Sequence, residues 1–406
     1  MGIALLKEPA PVVRGRSMTS LFIGVAMMTT AMVAASTVST LIVADTVGSR
    51  LSGFANAAGV LGSAAGALGL GALTARRGGR SALFTVYLCA LGGALLAFAG
   101  AAGTALSALL VGMVLIGIGN GGAQVARYMA ADLYPEDRKA FGLSIIVWAG
   151  TVGALAGPTL VAPAGRFAEA LGLPELSGAV LAAAALTALA VTVTTLLPGA
   201  GRVEARRPGF SRQRIGQVVR RPAVATALCA MLAAHLAMVT VMTMTPLQLH
   251  EHDHGLDVVG LVLSAHMIGM FALAPLSGRI ADLMGGRFAV GCGVALLVAA
   301  AAAVMVAPTG HTTTLPAGLF LLGYGWNLVF VGSSSLLSRE LDPAERSEVQ
   351  GGVDAVVFTA SIVASLAAGA LFAGGGFPLV ALAGGLVALA PVPLLLRRGP
   401  ARTPRP

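Results

Sequence analysis

The residues of this chain best equipped for chemistry are sulfur and imidazole donors set inside apolar stretches. In "MLAAHLAMVTVMTMTPLQLHEHDH" (231–254) a histidine and four methionines occupy a run that reads as a helix. With Met242 at zero and 100° per residue, Met238 lies about 40° away, His235 about 20° to the other side and Met231 about 20° off. Those four side chains form one narrow stripe rising ~16 Å, whereas Met244 and Cys229 fall on other faces. The next apolar stretch contains "HMIGM" (266–270), which sets His266 and Met270 one turn apart on one face. A short loop joins the two stretches, so the two donor faces are expected to converge. Thioether is a soft, neutral donor suited to Cu(I), and imidazole binds copper in either oxidation state. Thioethers need no deprotonation, so binding is expected to be independent of pH until the histidines protonate. A few exchangeable donors also suit an ion that must leave again. The plain alternative is that each methionine is apolar filler and His235 a satisfied buried histidine; the same-face pairing favours the ligand reading.

Between the two stretches lies "HEHDH" (250–254). In an extended segment its alternation puts His250, His252 and His254 on one side and the acids on the other. It is either an outer loop that captures a metal ion or a solvated polar turn. Carboxylates are scarce elsewhere in the apolar stretches. Asp45 and Asp257 sit at ends, and Asp354 is about one turn inside its stretch. The absence of an acid near any centre argues against a dedicated carboxylate proton relay or a cationic-drug site. Met28 and Met32 form a further MxxxM pair, with Met27 beside them. Asn56, Asn120, Gln124, Trp148, Trp326 and Asn327 either line a cavity or link helices by hydrogen bonds. "GIGNGG" (117–122) has no preceding strand and is not a phosphate loop. No nucleophile–base set suggests an enzyme.

The elements that must carry these donors are membrane helices. Of 406 residues, 56% are hydrophobic and 11% charged, where a soluble chain carries about a quarter charged residues. Apolar spans fall at roughly 18–43, 51–74, 81–100, 104–126, 141–162, 176–197, 223–246, 258–281, 288–307, 316–336, 352–373 and 378–396. Each is long enough to cross ~30 Å of hydrocarbon as a helix, and lipid offers no partner to unpaired backbone. With a cytoplasmic N-terminus, 24 of the 26 Lys and Arg lie at cytoplasmic positions and only Arg50 and Arg166 do not. That distribution explains the net charge of +9 by the positive-inside rule rather than by nucleic acid. Both termini are then cytoplasmic, and Cys89, Cys229 and Cys292 lie within spans and form no disulfide framework.

The chain divides at 198–221, a polar connector with seven arginines. "GALTARRGGR" (71–80) is echoed by "GRIADLMGGR" (278–287), and "LYPEDRKA" (133–140) by "LDPAERSE" (341–348), at offsets of 207 and 208. Two matches at nearly one offset describe a parallel repeat of six helices with a site between the halves. The expected domains are a bundle over 1–197, a linker over 198–221 and a second bundle over 222–406.

Gly278, Asp282, Gly285 and Arg287 resemble the loop signature of the major facilitator superfamily, a resemblance that covers the whole chain. It implies an all-α membrane protein with twelve transmembrane helices in two pseudo-symmetric six-helix bundles. The loop glycines permit a tight turn, the aspartate meets a helix N-terminus, and Arg76, Arg80 and Arg287 pair across a cytoplasmic gate. In the first half the aspartate position is Ala75, so that arm is weakened. "GTVGALAGP" (150–158) resembles part of the signature of drug/proton antiporters, without the glycine pair that usually follows, and reads better as helix packing. Within the superfamily, the MxxxM of span seven (Met238, Met242) and the HxxxM of span eight (His266, Met270) resemble the bacterial copper importers of the CcoA type. That resemblance implies copper uptake for assembly of haem–copper oxidase, with His235 and Met231 as lower positions on the path. The expected setting is the bacterial inner membrane, with the chain monomeric and without a cofactor. Its expected partners are the lipid bilayer, the copper ion and copper carriers on either side. Relatives that move riboflavin are the nearest competing reading, followed by a drug/proton antiporter.

Overall fold

The computed structural model describes residues 11–103, 105–131, 133–135, 138–197, 218–306, 314–341 and 343–397, with the side chains of 11–13, 71, 72, 75, 125, 127, 128, 131, 139, 140, 338 and 343–355 outside the description. The expected linker therefore lies outside the described residues as far as position 217, and so does the side chain of Asp354.

The fold is all-α, as a chain whose backbone must satisfy itself in lipid requires. The first half runs α1 (Pro11–Val47), a short 3-10 turn (Ser49–Leu51), α2 (Gly53–Arg77), α3 (Gly79–Ala102), α4 (Leu106–Ala131), α5 (Lys139–Ala170) and α6 (Ser177–Thr194). The second runs α7 (Pro222–His250), α8 (Leu256–Phe271), α9 (Ala274–Met284), α10 (Gly286–Met305), α11 (Thr314–Glu340), α12 (Pro343–Ala388) and α13 (Val392–Leu396). Among the described residues, 11 segments are long and apolar enough to cross a membrane. The last, Val356–Leu396, has 41 residues, twice what one crossing needs. It breaks at Gly375 and Gly376, where Gly376 takes φ 66° and ψ −166°, a conformation open essentially only to glycine. The break resolves this segment into the two expected spans of 352–373 and 378–396.

Two departures from regularity matter for the donors. The eighth expected span is two helices rather than one. α8 ends at Phe271, α9 begins at Ala274, and Pro275 follows at its first turn. Proline has no N–H, and its ring opposes the carbonyl four residues back, so the regular ladder is interrupted here. The tight turns of the repeated loops share one device. Gly78 (φ 83°, ψ 158°) and Gly285 (φ 88°, ψ 151°) precede α3 and α10 in the same rare conformation, which the absence of a Cβ permits.

The chain forms two compact units. One comprises Met1–Thr46 with Phe54–Arg206, the other Val47–Gly53 with Arg207–Pro406. In the first, α3 packs on α4 and α6, and α5 on α4 and α6. In the second, α7 packs on α11 and α12, α10 on α11 and α12, and α8 on α11. The short segment carrying the 3-10 turn belongs to the second unit and lies against α12.

Candidate functional site

The donor residues of the second unit are organised by α11, a helix from which the sequence reading took no donor. α11 packs broadly against both α7 and α8, whereas α7 and α8 meet each other at few points. The two helices therefore do not pack directly on each other across their short loop, and each meets α11 instead. A short loop fixes where two helices begin and end, not which faces they present. Small residues decide that here. A Cβ on Gly323 of α11 would stand 2.3 Å from His266 O and 2.9 Å from Met270 N, and one on Gly269 of α8 would stand 2.2 Å from Phe320 O. Reciprocal glycines bring the two backbones into contact, as small residues do in lipid.

This approach buries the HxxxM pair. His266 is fully buried and Met270 is 7% exposed. His266 Nδ1 lies 2.9 Å from Leu319 O. A carbonyl only accepts, so Nδ1 carries the proton and Nε2 carries the lone pair. That Nε2 is buried and has no hydrogen-bond partner among the described residues. An imidazole with one nitrogen donating to a backbone carbonyl and the other bare has the arrangement of a metal-ligating histidine.

On α7 the expected stripe is coherent but not uniform. Met231, His235, Met238 and Met242 are all half-buried, flanked by the buried Ala230, Ala234, Ala237 and Val241. His235 Nε2 lies 2.9 Å from Ser361 Oγ of α12, and that hydroxyl donates to Val357 O at 2.7 Å. The serine has one proton to give, so Nε2 donates to it and Nδ1 keeps the lone pair. The ring also lies 6.4 Å from Trp326 of α11, which stacks on Phe330 at 5.1 Å and 13°. Met231 packs against a buried apolar cluster of Val218, Val224, Ala227, Leu337 and Leu341. Its side chain is thus held in apolar packing rather than presented as a lower donor. Met244, off the stripe, is fully buried, its sulfur 3.5 Å from Ser52 Oγ, whose proton goes to Ser49 O at 2.7 Å.

The histidine loop is a helix end, not an extended strand. His254 N–H bonds Leu249 O at 3.0 Å and Asp253 N–H bonds His250 O at 3.1 Å, while Asp253 has φ 57°. That is a Schellman cap with aspartate where glycine is usual. The alternation survives as exposure: His250, His252 and His254 are half-buried, and Glu251 and Asp253 are exposed. His252 Nδ1 is turned back to Gln248 O at 2.8 Å. Among the described residues, no three His, Cys, Asp or Glu side chains gather into a metal-binding group. The helical turn splays what a strand would have aligned.

In the first unit Met28 and Met32 are 0% and 8% exposed. Met28 packs toward Gly119, and Met32 with Met113 toward Gly59, so both fill glycine notches in the core instead of lining a cavity. Asn56 accepts from Ser36 Oγ at 3.1 Å, and Asn120 donates to Ser63 Oγ at 3.1 Å, so both amides link helices. The loop arginines have structural partners within their own units. Arg80 Nη2 donates to Thr195 O at 2.7 Å at the end of α6. Its repeat counterpart Arg287 donates to Leu394 O, Leu395 O and Arg397 O at 2.7, 3.2 and 2.8 Å at the end of α13. Each caps orphan carbonyls of a terminal helix. Arg77 and Arg80 also border a cavity of about 460 Å³ with Phe84, Thr85 and Thr195. Asp282 and Arg76 are exposed, and a Cβ on Gly278 would meet nothing within 4 Å.

Asn327, read from the sequence as either a cavity residue or an amide linking helices, links them. It is 4% exposed, donates Nδ2–H to Met270 O at 2.7 Å, and accepts from Ser277 Oγ. Its only signal in the sequence was an amide inside an apolar span.

Comparison with known proteins places this geometry in a family. The Major Facilitator Superfamily profile matches residues 21–258 and again 228–406. The chain is 30% identical over 355 residues to the uncharacterised MFS-type transporter YdeG of Bacillus subtilis strain 168, covering 85% of this chain and 82% of the relative. It is 28% identical to YddS of the same organism, over 89% of this chain and 85% of that protein. It is also similar to the riboflavin transporter RfnT of Brucella anthropi, at 27% identity over 84% of this chain and 85% of that one. Among solved structures, an auto-inhibited POT family peptide transporter superposes with a TM-score of 0.70 at 15% identity, covering 96% of this chain and 99% of its own. The xylose transporter XylE of E. coli superposes at 0.65 and 16% identity, covering 93% and 97%. At such identities the likeness is one of fold.

Proposed function

The chain belongs to the Major Facilitator Superfamily, and we propose that this secondary transporter imports copper by alternating access across a bacterial inner membrane. The observation that carries the reading is His266. Its Nδ1–H is committed to Leu319 O and its Nε2 is bare and fully buried, with the soft thioether of Met270 one turn along the same helix. A buried lone pair without a partner is a cost to the fold unless a ligand uses it. An imidazole–thioether pair is a donor set for copper and a poor one for the hard cations Mg²⁺ or Ca²⁺.

Because α7 and α8 meet at few points, the two motif pairs act as successive stations rather than as one four-donor cage. Met242, Met238 and His235 receive the ion along α7, and His266 with Met270 holds it behind α11. The histidines of 250–254 serve singly, as transient ligands at the mouth. The termini lie in the cytoplasm, and copper carriers on either side supply and accept the ion. Copper here is cargo.

The test is uptake of radioactive copper in cells expressing the wild type or a Met242→Ala/His266→Ala double variant at matched protein levels. Loss of uptake in the variant is expected; equal uptake refutes the reading. A second reading, riboflavin transport, is favoured by one observation: the stacked Trp326–Phe330 pair beside His235 offers a flat aromatic surface, and a relative is a riboflavin transporter. Rescue of a riboflavin auxotroph that is lost in Trp326→Ala, with no copper uptake by the wild type, decides for that reading.

A further inference from the structure

We propose that Asn327 is the positioning residue of the α8 donor pair, acting through the backbone carbonyl of Met270 at the break in the eighth span. This rests on the reading that His266 and Met270 hold the cargo. The break leaves backbone to be satisfied. Ala272 N–H closes the last turn of α8 on Ile268 O at 2.8 Å, and Ser277 N–H opens α9 on Leu273 O at 3.0 Å. Pro275 can donate nothing. The carbonyl of Met270, within that last turn of α8, receives the Asn327 amide at 2.7 Å. The amide oxygen of the same side chain accepts from Ser277 Oγ beyond the break. One buried side chain thus ties both limbs of the broken helix to α11.

The tie is aimed at the donors. Leu319, Gly323 and Asn327 stand four residues apart and share one face of α11. Leu319 O orients His266, Gly323 admits the backbone between His266 and Met270, and Asn327 holds the carbonyl of Met270 itself. The Met270 thioether hangs from the residue whose peptide Asn327 fixes, so its sulfur position follows that bond. An apolar residue of similar size at 327 would fill the space and release the hinge. The carbonyl would then find a partner only by shifting α8, because a membrane interior supplies no water. Asn327 touches no cargo; it sets where the donors are.

The experiment combines kinetics with a measurement that needs no cargo. Copper uptake is measured for Asn327→Leu, Met270→Ala and the double variant. Asn327→Leu is expected to raise KM about tenfold with Vmax within about twofold. The double variant is expected to lose less than the product of the two single effects, because part of what Asn327 sets is the place of the Met270 thioether. Independent, multiplying effects overturn the proposal. In parallel, spin labels at Leu261→Cys and Leu283→Cys, both exposed, report the geometry of the break on a background with Cys89, Cys229 and Cys292 replaced by alanine. A straight helix would set the two labels about 33 Å apart. Asn327→Leu is expected to shift or broaden the distance distribution, and an unchanged distribution overturns the proposal. Should the wild type take up no copper, the functional reading falls and the label distances alone decide on Asn327.

Discussion

Gly323→Ala tests whether α8 and α11 meet as closely as described. The added Cβ would stand 2.3 Å from His266 O and 2.9 Å from Met270 N. Both are backbone atoms that cannot rotate away, so the helices must part by about 1 Å to reach ordinary contact. Overpacking of that kind costs about 1–3 kcal/mol. The same displacement stretches the 2.9 Å contact between His266 Nδ1 and Leu319 O to nearly 4 Å, beyond a hydrogen bond. A buried N–H left unpaired costs about 1–3 kcal/mol. The two costs overlap, because yielding to one incurs the other, and a loss of about 2–4 kcal/mol is expected. The assay is reversible unfolding of the purified protein in mixed micelles. Gly291→Ala in α10 is the control, since a Cβ there meets nothing within 4 Å and alanine gains up to about 1 kcal/mol in helix propensity. Gly323→Ala should also reduce copper uptake at limiting copper at least tenfold, because His266 is no longer oriented. If Gly323→Ala unfolds within about 0.5 kcal/mol of the wild type, the helices are not in contact there and the reasoning fails.

Met238→Leu with Met242→Leu conserves volume on a half-buried face, so stability should change by less than about 1.5 kcal/mol while copper uptake is abolished; unaltered uptake removes α7 from the path. Asp253→Gly relieves a left-handed residue at the Schellman cap and should stabilise by up to about 1 kcal/mol, read by the same unfolding assay. Arg287→Ala strips three carbonyls of their cap at the end of α13, and faster limited proteolysis of the C-terminal segment is expected, with about 1 kcal/mol lost. Exchange of Trp326 for leucine should spare copper uptake to within about threefold, since neither indole nor its stacked partner is a copper donor; a full loss of uptake would assign the indole to the path.

Much of this architecture was legible because bilayer physics is unforgiving. Every crossing needs some twenty apolar residues, so the span boundaries lie on the surface of the sequence, and the repeated loops at offsets of 207 and 208 carry the twofold plan. The α7 stripe was legible for the same reason, since helical angle follows directly from residue number. The eighth span stands as one segment over Leu256–Met284, but the break inside it was hidden because Pro275 sits in a run whose hydropathy never dips, and hydropathy does not register a missing N–H. The 250–254 loop misled because its alternation looks like a strand, while the hydrogen bonds to Leu249 O and His250 O wind it into the cap that ends α7. Met231 shows the limit of angle alone, for it shares the stripe's direction yet packs into an apolar cluster.

What no local pattern could show is that α11 organises both donor helices. Consecutive residues on a helix point 100° apart, and in α11 that angle separates two partners. Trp326 turns to His235 of α7, while Asn327 turns to Met270 of α8. In the sequence the pair "WN" reads as one polar and one aromatic residue in an apolar span, with nothing to say which neighbour each meets. The information lies instead in glycines fifty residues apart. Gly269 and Gly323 each leave a notch that only the other's helix can fill, and filling it turns His266 toward Leu319 O. The proposed donors lie on α7 and α8, but the contacts that orient His266 and Met270 come from α11. A substitution on α11 that breaks one of those contacts, at Gly323 or Asn327, should therefore weaken cargo affinity without removing a ligand.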